Sequence, residues 1–235
     1  MGMARTLFRS LAATGLTLSF LVASVSIASA FPPRVPQVVF ADAGLQGYLN
    51  GVGESINVLT DQVDAQVWDA SVSGNATFTL MIELTTPNAA NNAIGVYNTT
   101  MPVSPLFNLF PGTATAGWFA TAHFAGGTLR VTLYDNNAVI QGQIMYPGVN
   151  ANAFGFYLVG PSGTFYSEDY RNSGNPHALT YLGTGPNGGN WWECFEDSRD
   201  ATVDADFDDV VLMLESVVPV PTNMSTWGMV KRLYR

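Results

Sequence analysis

The chain has 235 residues, 18 acidic and 9 basic side chains, and a formal net charge of −9. That balance argues against nucleic acid or an anionic membrane surface as a partner recruited by net charge. Aromatic residues at 12% and charged residues at only 11% exclude a disordered chain, and the single cysteine, Cys194, excludes an intramolecular disulfide.

Read from the start, Arg5 and Arg9 precede an apolar run over residues 11–27, and Ala28-Ser29-Ala30 offers small residues at a cleavage position. This is the pattern of a secretory signal over residues 1–30, with an uncleaved signal anchor as the alternative. Without Arg5 and Arg9 the remainder carries −11. No later stretch reaches the roughly 18 apolar residues of a membrane span. The expected location is secreted, extracellular or at the cell surface.

Residues 31–44 are Pro-rich and read as a lead-in. Residues 45–55 hold three glycines and read as loop or short strand, and residues 55–60 then alternate. Strands are expected over 66–69, 76–84 and 93–98, the second with Phe78, Leu80, Ile82 and Leu84 on one face, and a turn over 88–92. Residues 106–111 form a short apolar segment. Residues 117–124 and 128–134 read as a hairpin across Gly126-Gly127. Further strands follow over 139–146, 153–159, 164–167, 178–182, 191–195 and 210–217, separated by turns rich in Gly, Asn and Pro.

Strands every ten to fifteen residues, with no convincing amphipathic helix between them, predict an all-β fold: an antiparallel, jelly-roll-like β-sandwich over 45–218. A Pro linker and a short amphipathic helical tail are expected over 219–235. There Trp227, Val230, Leu233 and Tyr234 share a face, and Lys231, Arg232 and Arg235 stand at the end the helix dipole favours. The tail reads as a small docking helix or a sorting tag.

Residues 191–211 are the most informative stretch, with eight carboxylates and one arginine between an aromatic and an aliphatic run. Asp204, Asp206 and Asp208 stand at i, i+2 and i+4, as in calcium loops. An EF-hand does not fit. Position 6 from Asp204 is Asp209 rather than glycine, and a strand over 210–214 would carry Glu215 roughly 20 Å away. Pairing 191–195 antiparallel with 210–217 instead brings Glu196 and Asp197 to meet Asp206, Asp208 and Asp209. Glu196, Asp197, Asp204, Asp206, Asp208 and Asp209 are therefore the candidate ligands of a calcium ion. The alternative is a solvated loop whose Asp side chains bond backbone amides.

Other chemistry is sparse. His123 and His177 are the only histidines, and His177, after Asn175-Pro176, reads as a turn or packing residue. No nucleophile elbow, metal-binding His pair or phosphate loop is present. Cys194 lies in an apolar run with no basic neighbour and reads as a buried thiol. Asn75, Asn98 and Asn223 head formal glycosylation sequons.

From Phe154 onward, five ordered motifs resemble the domain-of-unknown-function 4114 family: residues 154–158, 163–167, 177–181, 195–197 and 204–210. The resemblance implies an exported bacterial β domain, often suspected to bind calcium, without an established enzymatic activity. The chain departs from it where Arg199-Asp200-Ala201-Thr202-Val203 stands in place of a Gly-rich approach. The expected function is a secreted, calcium-stabilised, non-enzymatic module with an adhesive or structural role and a glycan or surface protein as partner. A carbohydrate-binding module is the alternative, marked by an exposed row of Trp or Tyr. A polysaccharide hydrolase would need converging carboxylates in a cleft.

Overall fold

A computed structural model describes residues 31–40, 44–84, 91–198 and 206–221. The expected signal segment, the tail from residue 222, most of the 88–92 turn, and Arg199 to Ala205 lie outside these residues.

Apolar–polar alternation sets the direction of each side chain, and two antiparallel sheets result. Seven strands form one sheet in the order β10 (Ala178–Leu182), β11 (Trp191–Phe195), β12 (Val210–Glu215), β2 (Asn75–Ile82), β5 (Phe119–Ala125), β6 (Thr128–Tyr134), β7 (Ile140–Pro147). The other runs β13 (Val218–Pro221), β1 (Ala65–Asp69), β8 (Phe154–Gly160), β3 (Ala93–Asn98), β4 (Leu106–Pro111), with β9 (Gly163–Tyr166) paired to the second half of β8. The all-β sandwich expected from the strand spacing is the fold.

Aromatic residues join the sheets. Phe78 of β2 meets Phe156 of β8 edge-on at 5.4 Å between ring centroids, and Trp68 of β1 meets Trp191 of β11 at 5.7 Å. Phe78, Phe156 and Trp68 are fully buried, and rings of this kind typically cost about 3–5 kcal/mol each when truncated to alanine.

A second core lies on the other side of the seven-stranded sheet. Leu179, Tyr181, Trp192, Cys194 and Val211 point outward from β10, β11 and β12 and are covered by Leu45, Leu49, Phe40, Ile56, Val58 and Phe207. This explains why β11 is buried on both faces. The cover includes α1 (Gly44–Gly51), which corrects the expectation of loop or strand after residue 45. Gly47 and Gly51 weaken the local helix signal, but Leu45 and Leu49 lie one turn apart and are completely buried, and that packing prevails over propensity. Residues 55–60 alternate without joining a sheet. The side chain of Gln46 donates to Ile56 O (2.6 Å) and accepts from Val58 N–H (3.1 Å), standing in for a neighbouring strand.

Two expected boundaries move. Residues 31–40 are docked rather than a simple lead-in: Phe31 packs edge-on against Trp191, Pro33 bridges Val63, and Arg34 pairs with Asp169. Pro219 and Pro221, expected in a linker, lie in β13, which pairs with β1 as an edge strand, where proline is tolerated.

The outer face of the seven-stranded sheet is thus covered at one end and open at the other. At the open end the register builds cross-strand rows. Asn75, His123 and Arg130 form one; Thr77, Thr121, Thr132 and Gln143 form the next. Phe119 and Tyr134 stack in the third, 4.7 Å apart and nearly parallel.

Candidate metal centre

β11 and β12 pair antiparallel, with Phe195 opposite Val210, so Glu196 and Asp209 emerge side by side at the open end of the pair. Carboxylate oxygens of Glu196, Asp206 and Asp209 lie within 4.8 Å of one another. Glu196 is 1% exposed, while Asp206 and Asp209 are half-buried.

The backbone builds this cluster. Ser198 N–H donates to Glu196 Oε1 at 2.8 Å, and Asp206 N–H donates to Oε2 at 3.1 Å. Asp197 N–H donates to Asp209 Oδ2 at 2.7 Å, and Asp208 N–H reaches Asp206 Oδ1 at 3.4 Å. Phe207 turns the chain between them. Its φ of +55° is unusual for a bulky side chain, and its ring is fully buried against Phe40. At the other end, Glu196 N–H donates to His177 O at 3.0 Å, and His177 Nδ1 faces Glu196 O at 3.2 Å.

Burial raises the proton affinity of Glu196 and Asp209 above the usual carboxylate range. The Asp209 charge adds to the effect on Glu196, and the Asp197 charge adds to it on Asp209. Three oxygen donors converging this way offer the hard, anionic ligands that suit calcium, with carbonyls and water completing six to eight positions.

Of the six residues singled out in sequence, Glu196, Asp206 and Asp209 converge. Asp197 contributes its backbone N–H to Asp209, and its side chain lies against Gly160 of β8. Asp208 contributes its N–H to Asp206. Neither Asp197 nor Asp208 belongs to the close oxygen cluster. Asp204 lies outside the described residues.

A second buried acid was not singled out. Glu193, on the inward face of β11, is 0% exposed, and burial pushes its carboxyl up to about 8. Thr180 Oγ1 lies 2.7 Å from Glu193 Oε2 and 2.8 Å from Ala65 O. Thr180 has one hydroxyl proton, so a protonated Glu193 donating to Thr180, which in turn donates to Ala65, satisfies the chain. The signal was visible as a lone glutamate inside Trp-Trp-Glu-Cys-Phe.

The remaining candidates resolve as structural. His177 is buried and stacks on Phe165 at 4.2 Å, and burial lowers its proton affinity. Cys194 is buried and forms no disulfide. Asn98 is 3% exposed, with its side chain bonded to Gly148 O and Asn150 N–H, which removes it as a glycosylation acceptor in the fold. Trp68, Trp191 and Trp192 are core residues, and Trp118 packs on the core.

Compared with known proteins, the chain matches no family model, no curated protein and no solved structure. The resemblance to the domain-of-unknown-function 4114 family accordingly has no support from a family model.

Proposed function

We propose that this protein is an exported, non-enzymatic surface or matrix module whose β11–β12 loop is held by a calcium ion. The observation that carries the reading is the convergence of Glu196, Asp206 and Asp209 within 4.8 Å. In this reading Glu196, held by the Ser198 and Asp206 N–H groups, is the fixed ligand, and Asp206 and Asp209 close on the ion from the residues that lead into β12. The cation relieves the repulsion and burial that otherwise raise two of the three carboxyls. Export is supported by the sequence pattern at residues 1–30. Among the described residues no helix is long and apolar enough to cross a membrane, which leaves strand-built spans unaddressed.

A hydrolytic role is less well supported. The Glu196–Asp209 oxygens are closer than the roughly 5–5.5 Å of a retaining glycosidase pair, and Glu196 is almost fully buried.

The test is a thermal melt in EDTA and in about 10 mM calcium. At the sub-millimolar to millimolar affinity of extracellular calcium modules, Tm should rise by roughly 3–10 °C. The rise should vanish in Asp206→Asn/Asp209→Asn. Equal Tm values with and without calcium would sink the proposal and leave the loop as a solvated turn.

A further inference from the structure

We propose that the open end of the seven-stranded sheet binds an acidic polysaccharide, with Arg130 taking a carboxylate or sulfate and the flanking rows taking sugar hydroxyls. A groove of about 440 Å³ runs over β2, β5, β6 and β7. It lies at the opposite end of the strand order from Glu196, so the inference does not depend on the metal reading.

Charge identifies the ligand. The protein is acidic overall, yet no residue lining this groove is acidic. Among the described residues the arginines are Arg34, Arg130 and Arg171. Arg34 pairs with Asp169 and Arg171 with Glu168, while Arg130 is exposed and its side chain makes no ion pair or hydrogen bond among the described residues. A guanidinium kept free on an acidic protein is available to a planar or tetrahedral anion, which it binds through two parallel N–H groups.

The surroundings select a sugar over other anions. Thr121 and Thr132 lie directly opposite each other on neighbouring strands, one row from Arg130. Their hydroxyls both donate and accept, as sugar hydroxyls do. Gln143 Nε2 donates to Thr132 Oγ1 at 2.9 Å and so holds that hydroxyl in place. His123, opposite Arg130, is held by Asn75 Oδ1 at 2.9 Å from Nδ1, which leaves Nε2 for a ligand. One cation among neutral donors and acceptors suits a polymer with sparse charge. Nucleic acid, with its dense phosphate charge, would need many cations and would be repelled by the rest of the molecule.

The test is affinity electrophoresis and calorimetric titration of the full chain in EDTA, against dextran carrying sparse carboxymethyl groups, dextran carrying sparse sulfate groups and neutral dextran. Binding to either charged dextran, but not to neutral dextran, is expected; the two charged polymers separate carboxylate from sulfate recognition. Arg130→Gln should weaken binding about tenfold, as the loss of a charge-assisted hydrogen bond implies. Thr121→Val should weaken it by a smaller factor. Arg130 is exposed, so its variant keeps the wild-type Tm. No retardation by either acidic polymer would overturn the proposal. So would binding that Arg130→Gln leaves unchanged, or equal binding to neutral dextran.

Discussion

Asp209 caps the open end of a strand pair: its Oδ2 accepts the Asp197 N–H at 2.7 Å, just beyond the last Phe195–Val210 pair. A carboxylate thus takes the place of the next backbone carbonyl. The same side chain faces Glu196, whose two oxygens are both committed to backbone N–H groups. The two acids therefore do not respond alike to neutralisation.

Asp209→Asn keeps an oxygen for the Asp197 N–H and turns an amide N–H toward Glu196, replacing repulsion by a hydrogen bond. In EDTA this variant should be more stable than wild type by about 1 kcal/mol. Glu196→Gln must set an amide N–H against a backbone N–H and should lose about 1–3 kcal/mol. Urea denaturation in EDTA measures both; equal effects of the two substitutions would contradict the geometry.

The metal-free protein should lose stability as pH rises. Glu193, Glu196 and Asp209 bind protons more tightly folded than unfolded, so each penalises the fold progressively above its ordinary range, for Glu193 from 4.5 to about 8. His177 acts in the opposite sense below its ordinary 6.5, because burial keeps the ring neutral. Three carboxyls outweigh one imidazole. Tm in EDTA should be higher at pH 6 than at pH 8.5, calcium should flatten the difference, and Glu193→Gln should reduce it further. A Tm that climbs from pH 6 to 8.5 in EDTA would refute this.

Phe207→Ala should cost about 3–5 kcal/mol, the usual loss for a fully buried phenylalanine. It should also weaken the calcium response, because the Phe207 ring against Phe40 fixes the backbone between Asp206 and Asp208. Denaturant unfolding gives the first quantity, and calcium titration of Tm gives the second.

Gly95→Ala should destabilise by about 3 kcal/mol, the upper part of the usual cost of overpacking. A Cβ there would fall 2.1 Å from Phe107 O and 2.8 Å from the Tyr157 ring, so β4 cannot pair with β3 in its present register. Gly47→Ala, in open space on α1, serves as the control and should be neutral or stabilising.

Much of the sheet structure was legible because β2, β5 and β6 alternate cleanly and β11 and β12 are apolar runs. Those runs also implied that Glu196 would meet Asp209. The loop between them was not legible in detail. At its described ends, Phe207 inserts beside Phe40, a contact between distant parts of the chain, and the Asp197 side chain lies against Gly160 rather than in the cluster. The helix α1 was hidden by its glycines. The polar rows at the open end were visible strand by strand as Thr-Ala-His and Arg-Val-Thr, but their alignment needs the register of four strands.

The position of β12 has a consequence for biosynthesis. It lies in the interior of its sheet, between β11 and β2, and β13 completes the edge beside β1. Until residues 210–221 have been made, β2 lacks one neighbour, β11 lacks another, and Phe78 and Trp68 cannot be sealed in the core. Folding of the sandwich therefore waits for residues 210–221. Before then the apolar faces of β2 and β11 are open to aggregation.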